Sequence, residues 1–393
     1  MPTLDAEARV AGEIAGSLSS SLSLGTKAGH GARTFDVHAT SVDVPHNGNV
    51  DVSGGNGSGR RRRKIIIDTD PGIDDTMAIL AAFNSPDVEV IGLTTVFGNV
   101  VTSTATHNAC LLRTMAGRRD VPVAEGAHGP LSGASVSLVA DFVHGKDGLG
   151  NRNLDGEIDK LFPDAGPPDG RTAAQFLVDM ALKYPGEVTI LALSPLTNLA
   201  LAMLLDKRFA QCVGEVVLLG GAYACLGNVN PAAEANIFGD PDAADAVFRG
   251  FPRIRAVGLD VTLKCSMTRE ELADLHGRGE GVGTLVNDIA QFYLDYHVYS
   301  VGEHKVFLHD PTALMAVLHP EWFKWTNGGV IVVRDGPCRG KTIMDTGERV
   351  FKFPTEWDAR PKAQIAVGVD TERVRAKVRE LLVGGDVAVL QSQ

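Results

Sequence analysis

From Lys64 onward, short apolar runs alternate with stretches in which apolar residues recur every three or four positions. The runs Lys64–Asp68, Val88–Thr95, Val188–Leu193, Glu215–Leu219, Arg255–Gly258 and Gly328–Arg334 read as strands. Their near-continuous hydrophobicity is that of strands covered on both faces. Helical periodicity predicts helices over Thr76–Phe83, Ala105–Met115, Thr172–Tyr184, Pro195–Leu205, Asp240–Phe248, Arg269–Leu275, Thr284–His297, Thr312–Leu318 and Thr371–Leu382. Strands and helices in alternation predict an α/β fold, a single large, open, mainly parallel, Rossmann-like sheet with helices on both faces.

Residues 1–62 break this pattern. They are rich in Ser, Gly, Ala, Asp and His and include the run Gly54-Gly55-Asn56-Gly57-Ser58-Gly59. So few large apolar groups do not offset the entropy of ordering the chain, so this part reads as a disordered extension, with room for a short helix around Glu7–Leu22. Read instead as a transit peptide it should be poor in acidic residues, and Asp5, Glu7 and Glu13 argue against that. No repeat or composition break divides residues 63–393, which read as one domain.

Composition narrows the class. A chain of 393 residues with 44% apolar content buries a large core. A formal charge of −11 argues against a nucleic-acid partner, because that binding needs Lys and Arg to neutralise phosphates. The one basic cluster, Arg60–Lys64, lacks interleaved aromatics and reads as a solvated flank of the first strand or as a docking or targeting segment. The five cysteines are scattered and form no CxxC pair, which reads as a reducing, cytoplasmic setting. Val90–Leu112 is uncharged apart from His107, yet its Thr, Asn and Ser content makes it a poor membrane span. No apolar signal segment follows Met1, and no membrane partner is expected.

The chemistry concentrates in Asp68-Thr69-Asp70-Pro71-Gly72-Ile73-Asp74-Asp75, four carboxylates in eight residues between a strand and a helix. Like charges this close stay ionised only if water, donors or a cation offset them. Asp74 and Asp75 also suit a helix start, but capping accounts for only one or two of the four. Further polar residues fall after expected strands: Gly98 and Asn99, Ser194 and Pro195, and Gly220 and Gly221. Ligands of open parallel sheets gather at such strand ends, where the strand order switches. Asn228, Glu234 and Asn236 form a second polar cluster, suited to a polyhydroxylated ligand or to turns and caps. His309-Asp310-Pro311 forms a third, readable as ligands or as a core-edge histidine followed by a cap.

Together these segments resemble the inosine-uridine preferring nucleoside hydrolase family, the nucleoside N-ribohydrolases. The resemblance rests on Asp68–Asp75, then Phe97-Gly98-Asn99-Val100, His144-Gly145-Lys146-Asp147-Gly148, Leu193-Ser194-Pro195-Leu196-Thr197-Asn198, the Asn228–Asn236 cluster and His309-Asp310-Pro311, in that order over residues 64–390. It implies the nucleoside hydrolase fold and hydrolysis of the N-glycosidic bond of purine or pyrimidine ribonucleosides to ribose and free base. It also implies Ca²⁺ held by Asp70, Asp75, Asp310 and the backbone carbonyl of Leu193, with Asp70 as general base and His309 as general acid. Ribose contacts fall to Asp74, Asn99, Asn228, Glu234 and Asn236, and nucleobase contacts to His144 and to Tyr293 or Tyr296, on a mobile aromatic rim. A homodimer or homotetramer is implied as well. Leu193-Ser194 stands where family members commonly have Thr or Ile followed by Gly, and Ala235 where Phe is frequent.

Two other classes compete. An aspartate-based phosphohydrolase also uses Asp-x-Asp after a strand, but requires a nucleophilic carboxylate and usually a Lys facing phosphate. A non-catalytic nucleoside- or sugar-binding protein needs the polar cluster and aromatics, but neither a water-activating site nor a histidine beside the leaving group. The preferred nucleobase is not legible in the sequence.

Overall fold

A computed structural model describes residues 62–136, 138–276 and 281–384. The disordered extension and short helix expected before residue 62 lie outside the described residues. The described residues fall within one unit, Gly59–Gln393.

The strands are β1 (Arg63–Thr69), β2 (Val88–Thr95), β3 (Val123–Glu125), β4 (Val188–Ala192), β5 (Glu215–Leu219), β6 (Ile254–Val257), β7 (Ser266–Thr268), β8 (Lys305–Phe307), β9 (Phe323–Val332), β10 (Thr342–Asp345) and β11 (Lys362–Val369). Nine of them form one sheet in the order β10-β9-β11-β6-β5-β4-β1-β2-β3, and β7 and β8 form a small antiparallel pair. Strands β2 to β6 and β11 run parallel to β1, and β9 alone runs against them, pairing antiparallel with β11 on one side and β10 on the other. The chain leaves β1 toward β2 and β3, then returns to β4 on the other side of β1. That reversal opens a crevice beyond the carboxyl ends of β1 and β4.

Strand β1 shows why the sheet is central. Ile65 and Ile67 point into one apolar layer, with the helices Ile73–Asn84, Val282–Val301, His309–Leu318 and Thr371–Val383, while Ile66 points into the other, with Ala173–Lys183, Thr197–Leu205 and Pro241–Gly250. All three side chains are fully buried, each contributing roughly 1.5–3 kcal/mol of transfer free energy. The expected mainly parallel α/β sheet with helices on both faces is the observed one; most helices run a few residues beyond the expected ends, whereas Ala173–Lys183 and Thr197–Leu205 are shorter than expected.

Several elements were not legible. Lys362–Val369 alternates exposed Lys362 and Gln364 with buried Ala363 and Ile365, so it lacks the continuous apolar run of its neighbours. Strand β9 begins at Phe323, five residues before the expected Gly328, because pairing with β11 carries it through exposed Lys324. Val90–Leu112 divides between β2 and the helix Thr102–Met115, and among the described residues no helix is long and apolar enough to cross a membrane.

Candidate active site

The first aspartate of the crowded motif is an internal brace. Asp68 is fully buried and accepts from Thr94 Oγ1 at 2.5 Å, Asn198 Nδ2 at 2.8 Å and Ser194 Oγ at 3.4 Å. Asn198 also donates to the Thr95 carbonyl at 2.9 Å and accepts from the Ala127 amide at 3.0 Å, so one polar knot ties the ends of β1, β2 and β4. Burial pushes the Asp68 pKa up to about 6 against the opposing effect of these donors.

The other three aspartates cross from β1 into the helix Ile73–Asn84. Asp75 accepts from the amides of Gly72 at 3.1 Å and Asp70 at 3.3 Å, from Asn99 Nδ2 at 2.8 Å, and from the Thr69 hydroxyl. Gly72 is required by close approach: a Cβ there would lie 2.7 Å from His144 Nδ1 and 2.8 Å from Asn99 Nδ2. Asp70 accepts the Asn99 amide through Oδ2 at 2.6 Å, and its Oδ1 has no partner. Asp310 arrives from the first turn of the helix His309–Leu318, so two helix N-termini place carboxylates at one point, where their partial positive charge favours anions.

Carboxylate oxygens of Asp74, Asp75 and Asp310 lie within 4.8 Å of one another, and Asp70 adds its charge to the group. All four are buried. Burial first, and then mutual repulsion, raises Asp70 and Asp310 well above the usual carboxylate range and Asp74 to about 8; burial also raises Asp75. Asp70 Oδ1, Asp74 Oδ1 and Asp310 Oδ1 are buried without a hydrogen-bond partner. Crowded, acceptor-only oxygens with nothing to accept are the donor set of a metal site, and these residues can hold a cation.

The remaining expected residues surround this group unevenly. His144 is buried, its Nδ1 accepting the Ile73 amide at 3.1 Å and lying 3.8 Å from Asp74 Oδ1. Its loop is held by Asp147, whose carboxylate accepts the amides of Leu149, Asn151 and Asn153. Glu234 is buried and caps the short helix Ala235–Gly239, accepting the amides of Gly221, Asn236 and Ile237 at 3.0, 2.8 and 3.1 Å. Asn236 Nδ2 donates to the carbonyls of Leu193 at 2.8 Å and Leu219 at 3.3 Å. The Leu193 carbonyl therefore already carries one hydrogen bond and keeps a second lone pair. Asn228 is exposed and accepts the Ala235 amide at 3.0 Å, so it stands at the margin.

Aromatic rings close the other side. Tyr293, in the long helix Val282–Val301, is buried with its ring 5.3 Å from His144, and burial first, then the charges of Asp74 and Asp310, raises its pKa. Tyr296 packs 5.8 Å from Phe142 at the outer edge. His309 is buried, with Nδ1 2.8 Å from Thr262 Oγ1, and burial lowers its pKa to about 3. Sequence reasoning gave no role to Asp68, Asn198, Thr262 or His297. His297 had a signal, since it lies four residues after Tyr293 on the same helical face; Thr262 had none, because only packing brings the short helix Leu259–Thr262 against the helix that begins at His309.

Comparison with known proteins agrees with this geometry. A family model described as inosine-uridine preferring nucleoside hydrolase matches residues 65–376. The chain is 47% identical over 337 residues to uridine nucleosidase 1 of Arabidopsis thaliana, covering 86% of this chain and 98% of that one. It is 35% identical over 315 residues to the inosine-uridine preferring nucleoside hydrolase of Leishmania major, covering 79% and 94%. A solved plant nucleoside hydrolase superposes with a TM-score of 0.78 at 43% identity, covering 82% of this chain and 99% of that one. Matching sequence, matching fold and a buried carboxylate cluster at the switch of strand order lead to one conclusion: the chain belongs to the inosine-uridine preferring nucleoside hydrolase family and is a ribonucleoside N-ribohydrolase.

Proposed function

We propose that this enzyme is a Ca²⁺-dependent hydrolase of ribonucleosides such as uridine, inosine and xanthosine, releasing ribose and the free base. The observation that carries this reading is the meeting of four buried carboxylates, three of whose oxygens lack any partner, beside a wall of histidine and tyrosine rings. Asp70, Asp75, Asp310 and the Leu193 carbonyl are the ligands we assign to the ion, with Asp74 close by. Bound there, Ca²⁺ would supply the charge that keeps these carboxylates ionised and polarises a neighbouring oxygen.

The rest of the chemistry falls to the chain's own groups. Asp70 is anchored through Oδ2 and free at Oδ1, which suits a general base that takes a proton from water as the water oxygen bonds to C1′ of ribose. The C1′–N bond breaks with its electron pair departing on the base, through a transition state of oxocarbenium character. His309 is neutral at pH 7, and we assign the Thr262 hydroxyl as donor to its Nδ1, which puts the ring proton on Nε2. From there, in the place assigned to the general acid, it donates a hydrogen bond that eases departure of the base, and the base takes its proton from water. Asp74, Asn99, Asn228, Glu234 and Asn236 are assigned to ribose, and His144, Tyr293 and Tyr296 to the base.

The phosphohydrolase reading loses support in this setting. The strongest influences on the four carboxylates come from burial, other carboxylates, backbone amides and hydroxyls, not from Lys or Arg. Family resemblance adds a cytoplasmic homodimer or homotetramer, which light scattering on the purified protein would check.

Chromatography of uridine and inosine digests should show free base and ribose, and elemental analysis one Ca²⁺ per chain. Asp70→Asn should slow base release by roughly 10²- to 10⁴-fold while leaving the circular-dichroism spectrum unchanged. Phosphate release from nucleotides without base release from nucleosides would overturn the proposal, and normal turnover by the Asn variant would remove Asp70 from the base role.

A further inference from the structure

The outermost strand of the sheet reaches the site through its connection to the next. Three strands separate β10 from β5, and among the described residues β10 pairs only with β9. Residues 333–341 join β9 to β10. The Val333 amide donates to the Lys341 carbonyl at 2.9 Å and the Gly340 amide to the Val333 carbonyl at 2.7 Å, which closes a hairpin. Its tip is exposed, but its last residues turn back onto the segment that follows β5. A Cβ on Gly340 would lie 2.9 Å from Ala233 Cβ and 3.0 Å from Phe238 Cα, so the two backbones are in direct contact.

Two cations of this hairpin use their donors on backbone carbonyls of that segment. Lys341 Nζ donates to the Ala222 carbonyl at 2.6 Å and to that of Cys225 at 3.5 Å, while the Thr342 hydroxyl accepts the Ala222 amide at 3.1 Å. Arg339 Nη1 donates to the Phe238 carbonyl at 2.6 Å, and its guanidinium lies 4.6 Å from the centre of the Phe238 ring. That carbonyl ends the short helix Ala235–Gly239, where the helix has no amide of its own to offer and a cation is favoured. The gripped residues stand beside the donors that hold Glu234. Ala222 follows Gly221, Phe238 follows Ile237, and the Glu234 carboxylate accepts the amides of both Gly221 and Ile237. Asn236 lies between them and donates to the Leu193 and Leu219 carbonyls. Residues 220–234 contain no helix or strand, so their place depends on such holds from outside. Asp260 shares the near half of the grip by accepting the Tyr223 and Ala224 amides at 2.9 and 2.7 Å.

Resting on the hydrolase reading and its assignment of Glu234 and Asn236 to ribose, we propose that Arg339 and Lys341 are positioning residues: the β9–β10 hairpin clamps both ends of the ribose-binding segment and sets its affinity for the sugar, whatever base the sugar carries. Removing either cation leaves a carbonyl without its donor and lets the segment drift, so that Glu234 and Asn236 meet the ribose hydroxyls out of place. Substrate, transition state and product all present those hydroxyls. The clamp therefore acts on binding rather than on the bond-breaking step.

The full-length, Ca²⁺-loaded protein should be compared with Arg339→Met and Lys341→Met, which keep an unbranched side chain and lose its donors. Binding of D-ribose, measured by calorimetry, should weaken on the order of tenfold in each variant, the lower range for one hydrogen bond to a charged group. KM for uridine, inosine and p-nitrophenyl riboside should rise by that same factor with kcat held within about threefold, because all three share the sugar. Lys341→Arg keeps charge and donors and should recover most of the affinity. A folded Met variant with unchanged ribose affinity would overturn the proposal, and a lower melting temperature with unchanged affinity would do so by reducing the hairpin to scaffolding. A rise in KM confined to one class of base would overturn it too. If neither Met variant folds, hydrogen exchange on the unaltered protein decides: saturating ribose should slow exchange in residues 220–238 and 333–342 together, and protection of the first segment alone would sink the clamp. Absence of base release from every nucleoside by the unaltered protein would instead overturn the hydrolase reading itself, and this inference with it.

Discussion

Asp70 and His309 are each held in place through one side-chain atom, which under the proposed mechanism leaves the other for the substrate. Asp70 Oδ2 takes the Asn99 amide, and His309 Nδ1 meets Thr262, so neither side chain is free to rotate away from the site. This arrangement makes the role of His309 testable by leaving-group chemistry. If its Nε2–H eases departure of the base, His309→Ala should slow inosine or uridine hydrolysis by roughly 10²- to 10⁴-fold. It should spare p-nitrophenyl riboside, whose leaving group needs little help. Comparison of kcat for both substrates in the same variant decides the matter, and an equal fractional loss would mean that the ring only supports Asp310.

At the scale of elements, the turn after β2 is shaped around Asp70. Gly98 lies so close that a Cβ would come within 1.9 Å of Asp70 Oδ2 and 3.2 Å of Pro195 Cδ. Gly98→Ala therefore displaces the carboxylate or the turn that feeds it the Asn99 amide. A displacement near 1 Å at a reacting group costs about 10²-fold in rate, so kcat should fall by that order while the overall fold is kept. Near-normal turnover would show that the turn gives way without moving Asp70. The polar knot of Asp68 and Asn198 acts at the same scale, holding three strand ends in fixed relation so that residues from β1, β2 and β4 meet.

For the whole molecule, the site is a store of unfavourable burial that a cation relieves. Four buried carboxylates oppose one another, so chelation at pH 7 should lower the melting temperature and Ca²⁺ should restore it. A site filled at a hundred times its dissociation constant contributes about 2.7 kcal/mol. The histidines act through pH. Burial lowers the pKa of His144 and His309 to about 3 and of His297 to about 4, whereas an unfolded chain titrates near 6.5. Between those values the unfolded chain binds protons that the folded one does not, so stability is lost as pH falls below about 6.5. In excess Ca²⁺, calorimetry should find a falling melting temperature from pH 7 to pH 5, and a flat one would show that the rings do not stay neutral.

The sequence by itself determined the central parallel sheet, because strands buried on both faces must be continuously apolar and the helices between them must be periodic. It also determined which residues could carry chemistry, since four aspartates in eight residues have no ordinary structural explanation. The division of labour among those aspartates was settled only by tertiary structure. Asp68 on β1 and Asp70 just past its end lie two positions apart, yet Asp68 points into three donors and Asp70 keeps a bare oxygen. Strand Lys362–Val369 was invisible although it lies inside the sheet, because alternate side chains such as Lys362 and Gln364 are exposed, which erases the continuous run. The partner of His309 could not be read at all, because Thr262 reaches it only when the short helix Leu259–Thr262 packs against His309–Leu318.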